Sequence, residues 1–152
     1  MADPVKGAFQ GFDIAAAGLR AEMMRSEIVA ANLGNMHRTG NAQNEPYRRK
    51  SVVFQEVLDR VQSAKTTPGG QQVAAGVEVK AVVEDRKTAF PTFRDPGHPD
   101  ADKDGWVMRS NVDVFQELVD LSVIERSFEA NLASMRSYRS MLQNTLNNMR
   151  PS

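Results

Sequence analysis

The sequence contains no cysteine, which excludes disulfides, thiolate nucleophiles and thiolate-ligated metal centres together. Histidine is nearly as scarce, at 2 residues in 152, and leaves little room for imidazole chemistry. Aromatic residues are 7% of the chain, so a core has to be built mostly from Leu, Val, Met and Ala. Surplus charge is missing too: 19 Lys and Arg balance 19 Asp and Glu. A chain without excess cations has no bulk affinity for a phosphate backbone, so no nucleic-acid partner is expected. No run of about 18 apolar residues occurs, and a membrane-spanning helix is not expected either. Residues 1–20, broken by Asp3, Pro4, Gln10 and Asp13, lack the apolar core of a cleavable secretory signal. Walker A, G-x-S-x-G and H-E-x-x-H patterns are all absent. With no catalytic constellation in view, neither enzyme activity nor a cofactor is expected.

The chain does carry two long heptad stripes. Val5, Phe9, Phe12, Ala16, Leu19, Met23, Ser26, Ala30 and Leu33 step by four and three residues, and eight of the nine are apolar. This spacing predicts an α-helix over 5–33 with a narrow, coiled-coil-like seam, stopped at Gly34. A second stripe holds Gly7, Gly11, Ala15 and Gly18. It is either a weak helix start, each Gly costing about 1 kcal/mol against Ala, or a face that another helix backbone approaches closely. Towards the C-terminus Val114, Leu118, Leu121, Glu125, Phe128, Leu132, Met135, Arg139, Leu142, Leu146 and Met149 repeat the pattern, nine of eleven apolar. Asn111 or Asp113 is the expected N-cap and Pro151 follows the end. Glu125 and Arg139 interrupt this seam, either as solvated positions or as selectors of register and partner. Ordering two helices of this length costs more than one seam between them returns. They should need neighbours, as in an oligomer or polymer.

The expected fold is mainly α: two long terminal helices forming a coiled-coil-like pair around a small irregular and β middle segment. In domain terms, residues 1–34 form an N-terminal axial helix, 35–110 the middle segment and 111–152 a C-terminal axial helix. The two helices together make one axial core. Within the middle, Gly34 to Ser51 is polar and reads as loop. Val52 to Val61 fits a strand or a short helix. Ser63 to Gly76 is expected to be mobile, and Val77 to Glu84 alternates as a half-buried strand does. Phe90 to Pro99, with Pro91, Pro96 and Pro99, should be extended and irregular.

The most chemical-looking stretch is Asp95 to Gly105. Asp100, Asp102, Asp104 and Gly105 fit the opening of a calcium loop, in which alternating carboxylates converge on one hard cation. Met108 and Asn111 then stand where ligands belong, and three prolines occupy the place of the entering helix. A solvated acidic turn is the expected reading. His98 beside Asp95 and Asp100 has no second nitrogen ligand and no nucleophile near it in sequence. Arg48-Arg49-Lys50 after Tyr47 is a short basic patch, expected to lie against an acidic neighbour.

Several stretches, in order along nearly the whole chain, resemble the bacterial flagellar rod and hook axial proteins, most closely the proximal-rod branch. They are Glu45-Pro46-Tyr47-Arg48-Arg49-Lys50; Asp95-Pro96-Gly97-His98-Pro99-Asp100-Ala101-Asp102 with Gly105-Trp106-Val107 and Asn111-Val112; Glu117-Leu118-Val119-Asp120-Leu121; and Arg126-Ser127-Phe128-Glu129-Ala130-Asn131. Ser26 to Asn35 is similar to the Asn-Ile-Ala-Asn-Ala signature that closes the first helix in that family. Gly34 stands there for Ala, Trp106 for the usual Tyr, Ser110 for Pro and Leu118 for Met.

The resemblance implies a structural subunit of the flagellar basal-body rod. Such a subunit would be exported unfolded by the flagellar type III apparatus and would polymerise helically in the periplasm. Its partners would be further copies of itself, other rod proteins, and the ring and export apparatus. Phe9, Phe12, Leu19, Met23, Leu33, Leu118, Leu121, Phe128, Leu132, Met135, Leu142 and Leu146 are then the expected assembly interface. Tyr47, Arg48, Arg49, His98, Asp100 and Asp102 are the expected contacts of the middle segment. A calcium- or ligand-binding helical module centred on 100–105 and another rod protein of the same family are the alternatives.

Overall fold

The computed structural model describes residues 4–60 and 72–148, and side chains over 9–57 and 76–148. Expectations for the side chains of Val5 and Leu58, for Val61, for the loop over 63–71, and for Met149 and Pro151 lie outside the described residues. Helix α1 spans Pro4–Gly34 and helix α2 Val114–Asn148. Between them come β1 (Thr39–Gly40), β2 (Lys50–Arg60), β3 (Gln72–Glu84), β4 (Thr92–Arg94) and β5 (Trp106–Arg109). The fold is thus mainly α, with a small antiparallel β middle segment. β1, β5 and β4 form a three-stranded sheet in that order, and β2 and β3 a two-stranded one.

Helix ends follow local chemistry. The Asp113 carboxylate accepts the amides of Phe115 at 2.8 Å and Gln116 at 3.4 Å, so Asp113 and not Asn111 is the N-cap of α2. At the other end of α1, the Asn35 side-chain amide donates to the Ala31 carbonyl at 2.7 Å and closes the last turn.

The β segments depart from expectation in several places: β1 lies inside the stretch Gly34 to Ser51 expected to be loop, and β3 begins at Gln72, inside the stretch Ser63 to Gly76 expected to be mobile. Val52 to Arg60 is strand, and it begins at Lys50, inside the stretch read as loop. Val77 and Val79 are half-buried as an alternating strand requires, but Ala81, Val82 and Val83 are all exposed. Phe90 to Pro99 contains the short strand β4, and β5 was not anticipated at all. The tight turn before β5 explains both short strands. Asp102 accepts the amides of Asp104 (2.9 Å) and Trp106 (2.8 Å) on one carboxylate oxygen. Gly105 has φ 77°, and a Cβ there would lie 2.9 Å from Pro96. This turn returns the chain so that Phe93 pairs with Val107 and Arg94 with Trp106.

The chain forms two compact units. The first comprises 1–23, 54–80 and 125–152; the second comprises 24–53 and 81–124. Each contains a part of both helices. In the first unit a Cβ on Gly11 would stand 2.4 Å from the Tyr138 ring, and one on Gly18 would stand 2.8 Å from the Asn131 side chain. Partners seven residues apart on α1 meet partners seven apart on α2 in reverse order, so the two run antiparallel there. Of the two readings of the glycine stripe, close helix approach is the one observed. In the second unit Arg25 and Asn32 of α1 reach Asp120 and Glu117 of α2, with Val29 and Ile124 buried beside them.

The facing rows differ from the expected seam. On α1 the inward positions Gly11, Ala15, Gly18, Arg25, Val29 and Asn32 fall one residue before the apolar stripe, with the buried Ala21 two residues before Met23. On α2 Glu117, Ile124, Asn131 and Tyr138 are again one residue early, while Leu121, Leu132, Met135 and Leu142 of the expected stripe are half-buried. Small side chains let helix backbones close in and polar ones can pair, so hydrophobicity alone misplaces the contact.

Gly18→Leu is expected to lower stability by about 1–3 kcal/mol through overpacking against Asn131. Gly34→Ala, whose Cβ meets nothing within 4 Å, should raise it by about 0.4–1 kcal/mol. Urea unfolding followed by circular dichroism measures both.

Candidate functional site

The largest fully buried side chains are not an apolar cluster. Glu117, at 0% exposure, heads them, and Asn32 is also at 0%. Both lie in the second unit. An amide and a carboxylate removed from water need every lone pair and proton matched. Asn32 meets that demand in full: its Nδ2 donates to the Lys50 carbonyl at 2.8 Å and to Glu117 Oε2 at 3.0 Å. Its Oδ1 accepts the Lys50 amide at 2.9 Å and the Tyr47 hydroxyl at 3.0 Å. One side chain at the end of α1 therefore holds the first residue of β2 as a neighbouring strand would.

Glu117 sits in the first turn of α2, where a negative charge is favoured by the helix dipole. Its other oxygen accepts Arg49 Nε at 2.5 Å. Arg49 extends a second nitrogen to Asp120 at 2.8 Å, and Arg25 reaches the other oxygen of Asp120 at 3.1 Å. The order Glu117–Arg49–Asp120–Arg25 alternates in sign. The backbone of the same arginine is also held. Asn111 Oδ1 accepts its amide at 2.7 Å, and its carbonyl accepts the Asp85 amide at 2.8 Å. Asn111 then donates to the carbonyls of Asp85 at 3.1 Å and Thr88 at 3.4 Å.

The loop residues beside Arg49 point inward as well. Arg48 lies over the Phe90 ring at 4.1 Å and donates to the Asp85 carbonyl at 3.3 Å. Burial, then the nearby charges of Glu117 and Glu84, push the Tyr47 hydroxyl above its ordinary pKa of 10.0. Asp85 is shifted the other way, below 3.8, chiefly by the Thr88 hydroxyl and then by the Thr88 and Lys87 amides.

Of the expected middle-segment contacts, Tyr47, Arg48 and Arg49 belong to this network. His98, Asp100 and Asp102 lie apart from it in the turn before β5. The Asp100 carboxylate accepts the Thr39 hydroxyl at 2.7 Å, and His98 Nδ1 accepts the Asp100 amide at 3.1 Å. Asp102 spends an oxygen on two backbone amides, as described above. Among the described residues no three His, Asp or Glu side chains are placed to share a metal ion. Of the expected interface residues, Phe9, Met23, Leu118, Phe128 and Leu146 are exposed. Phe12, Leu19, Leu33, Leu121, Leu132, Met135 and Leu142 are half-buried. Asn32, Asn111, Glu117, Asp120 and Arg25 were not singled out from sequence as working residues. A detectable sign was available: Arg25 and Asn32 are one heptad apart, one residue ahead of the apolar stripe.

A chain whose two terminal helices are closed by a loop carrying Pro-Tyr-Arg-Arg-Lys has the architecture of a flagellar axial subunit. Residues 103–149 match the family model for the C-terminal region of the flagellar basal body rod FlgEFG proteins. The chain is 35% identical over 145 residues to the flagellar basal-body rod protein FlgC of Bacillus subtilis (strain 168), covering 91% of this chain and 96% of the relative. It is 36% identical over 135 residues to the protein of that name from Salmonella typhimurium, with 89% and 92% covered. With that of Agrobacterium fabrum it shares 34% over 151 residues, 99% of each. The chain belongs to the FlgC family of structural proteins of the flagellar basal-body rod.

Arg49→Met should destabilise the fold by about 3–5 kcal/mol, because it leaves the buried Glu117 carboxylate without its cation. Pairing it with Glu117→Leu should recover part of that loss, and denaturant titration of the three proteins measures both. Tyr47 gives a pH dependence. A phenol with its folded pKa raised contributes stability that is whole below pH 10.0 and is lost as pH rises through the folded value. Stability measured from pH 8 to 12 should show this alkaline loss in the native sequence. Tyr47→Phe should lack it while giving up about 1 kcal/mol at neutral pH.

Proposed function

We infer that the chain polymerises helically with further copies of itself and with other rod proteins, and that the resulting rod transmits motor torque. The observation that carries this reading is the placement of large apolar side chains on the outside of both long helices. Phe9 is 56% exposed, Leu118 50% and Leu146 62%. They recur at heptad spacing beside a helix contact that is already complete without them. Apolar area at this density marks a surface that another protein covers. A helical polymer uses contacts of this kind, in which one face meets a different face of the next copy and the series does not close. The polar network suits the load. Directional bonds that leave no group unmatched resist shear better than an adaptable apolar contact, and the alternating charges share one rigid cation, Arg49.

The same reading places the subunit in the periplasmic part of the basal body, next to the ring and export apparatus. It is delivered there unfolded by the flagellar type III route with its N-terminal region retained. Its work is mechanical, with no catalysis and no cofactor.

Leu118→Asp and Leu146→Asp change exposed side chains and should alter the stability of the isolated chain by no more than about 0.5 kcal/mol. In cells both variants should be made and secreted, yet build no rod and fail to swim. Ser134→Asp, exposed and off the apolar stripe, should swim. Normal motility with both leucine variants would overturn the assignment of this stripe as the assembly face.

A further inference from the structure

Within the second unit, charge attraction alone does not say how far α1 slides along α2. Arg25 pairs with Asp120, and Glu117 lies one turn earlier on the same helix. A slip of about one turn would bring Arg25 from Asp120 to Glu117 and keep a cation against a carboxylate. Val29 and Ile124, the buried apolar pair of the contact, are aliphatic and adaptable. Asn32 is different. Its four hydrogen bonds go to three separate places, namely Tyr47, the Lys50 backbone and Glu117. In that slip Val29, one turn before Asn32 and apolar, would take the place of Asn32. A slip would bury the Asn32 amide without partners or leave the Lys50 amide and carbonyl unmatched.

We propose that Asn32, held between Lys50 and Glu117, is a register lock: it selects one axial alignment of α1 on α2 against the alignment displaced by about one turn. A buried asparagine in an otherwise permissive helix seam is known to act in this way, giving up some stability for a single register. Here the lock engages a strand as well as a helix. It therefore fixes the start of β2 to the same alignment.

The absence of cysteine makes the test direct. Ala31→Cys and Val123→Cys introduce the only two thiols, both at exposed positions of the second unit, and each takes a spin label. Pulsed electron–electron distance measurement on dilute full-length chain should give one narrow distance. Adding Asn32→Leu alone removes the lock while Glu117 stays in place as the alternative partner of Arg25. The slip that moves Arg25 from Asp120 to Glu117 carries the α1 label away from the α2 label by about 4.5 Å along the axis, at 1.5 Å per residue. A second, longer distance should therefore appear at unchanged helical circular dichroism. A single unshifted distance in that folded variant overturns the proposal. Should the leucine variant not fold, Asn32→Ala, which also removes the donor and the acceptor, is read in the same way. A second distance supports the lock and one unshifted distance overturns it.

Discussion

The described structure depends on the removal of one amide side chain from water. Asn32 ends up with no exposed surface and no unmatched atom. That condition can be met only if α1, the Tyr47–Lys50 loop and the first turn of α2 arrive together. The energetic asymmetry of hydrogen bonding makes it stringent. Each bond contributes about 1 kcal/mol when made, while a buried group left unmatched costs about 1–3 kcal/mol. Glu117 and Arg49 inherit the same condition at higher stakes because they carry charge. The network thus works less as a store of stability than as a filter on geometry.

Around this constraint the two helices divide their faces by size and polarity. Gly11 and Gly18 accept Tyr138 and Asn131 at distances no larger residue would allow, and Arg25 and Asn32 pair with acidic partners. Phe9, Met23, Leu118 and Leu146 remain outside. For a rod protein, on the assembly proposed above, this division separates two requirements. Internal contacts are directional and saturated. External ones are apolar and can be covered by whatever neighbour presents a complementary surface.

Much of the architecture is legible in the sequence. Two stripes of nine and eleven heptad positions announce long helices because periodicity accumulates with length. Asp113 caps α2 as its place before the stripe suggests. The three-stranded sheet was not legible. Its strands are two, three and four residues long, too short for alternation to register, and they exist because the turn at Asp102 and Gly105 brings distant residues together. The polar network was legible only as motif. Tyr47, Arg48 and Arg49 attracted notice as a basic patch, but Asn32 and Glu117 on helices look like solvated positions. What buries them is a pairing across 85 residues of chain, which no local pattern encodes. The one-residue offset of the facing rows has the same origin: apolar periodicity locates the stickiest face, and here that face is not the one the helices turn towards each other.

The offset also decides where a calorimetric signature falls. Unfolding raises heat capacity through exposure of apolar surface and lowers it through exposure of polar surface. The largest fully buried side chains are Glu117, Asn32 and Ser110 together with Val107, so melting exposes polar surface along with apolar, and the polar share offsets part of the rise. The apolar area deferred to the outside leaves water only when neighbours cover it. On the assembly proposed above, covering that area would carry a heat-capacity change of its own, separate from that of folding.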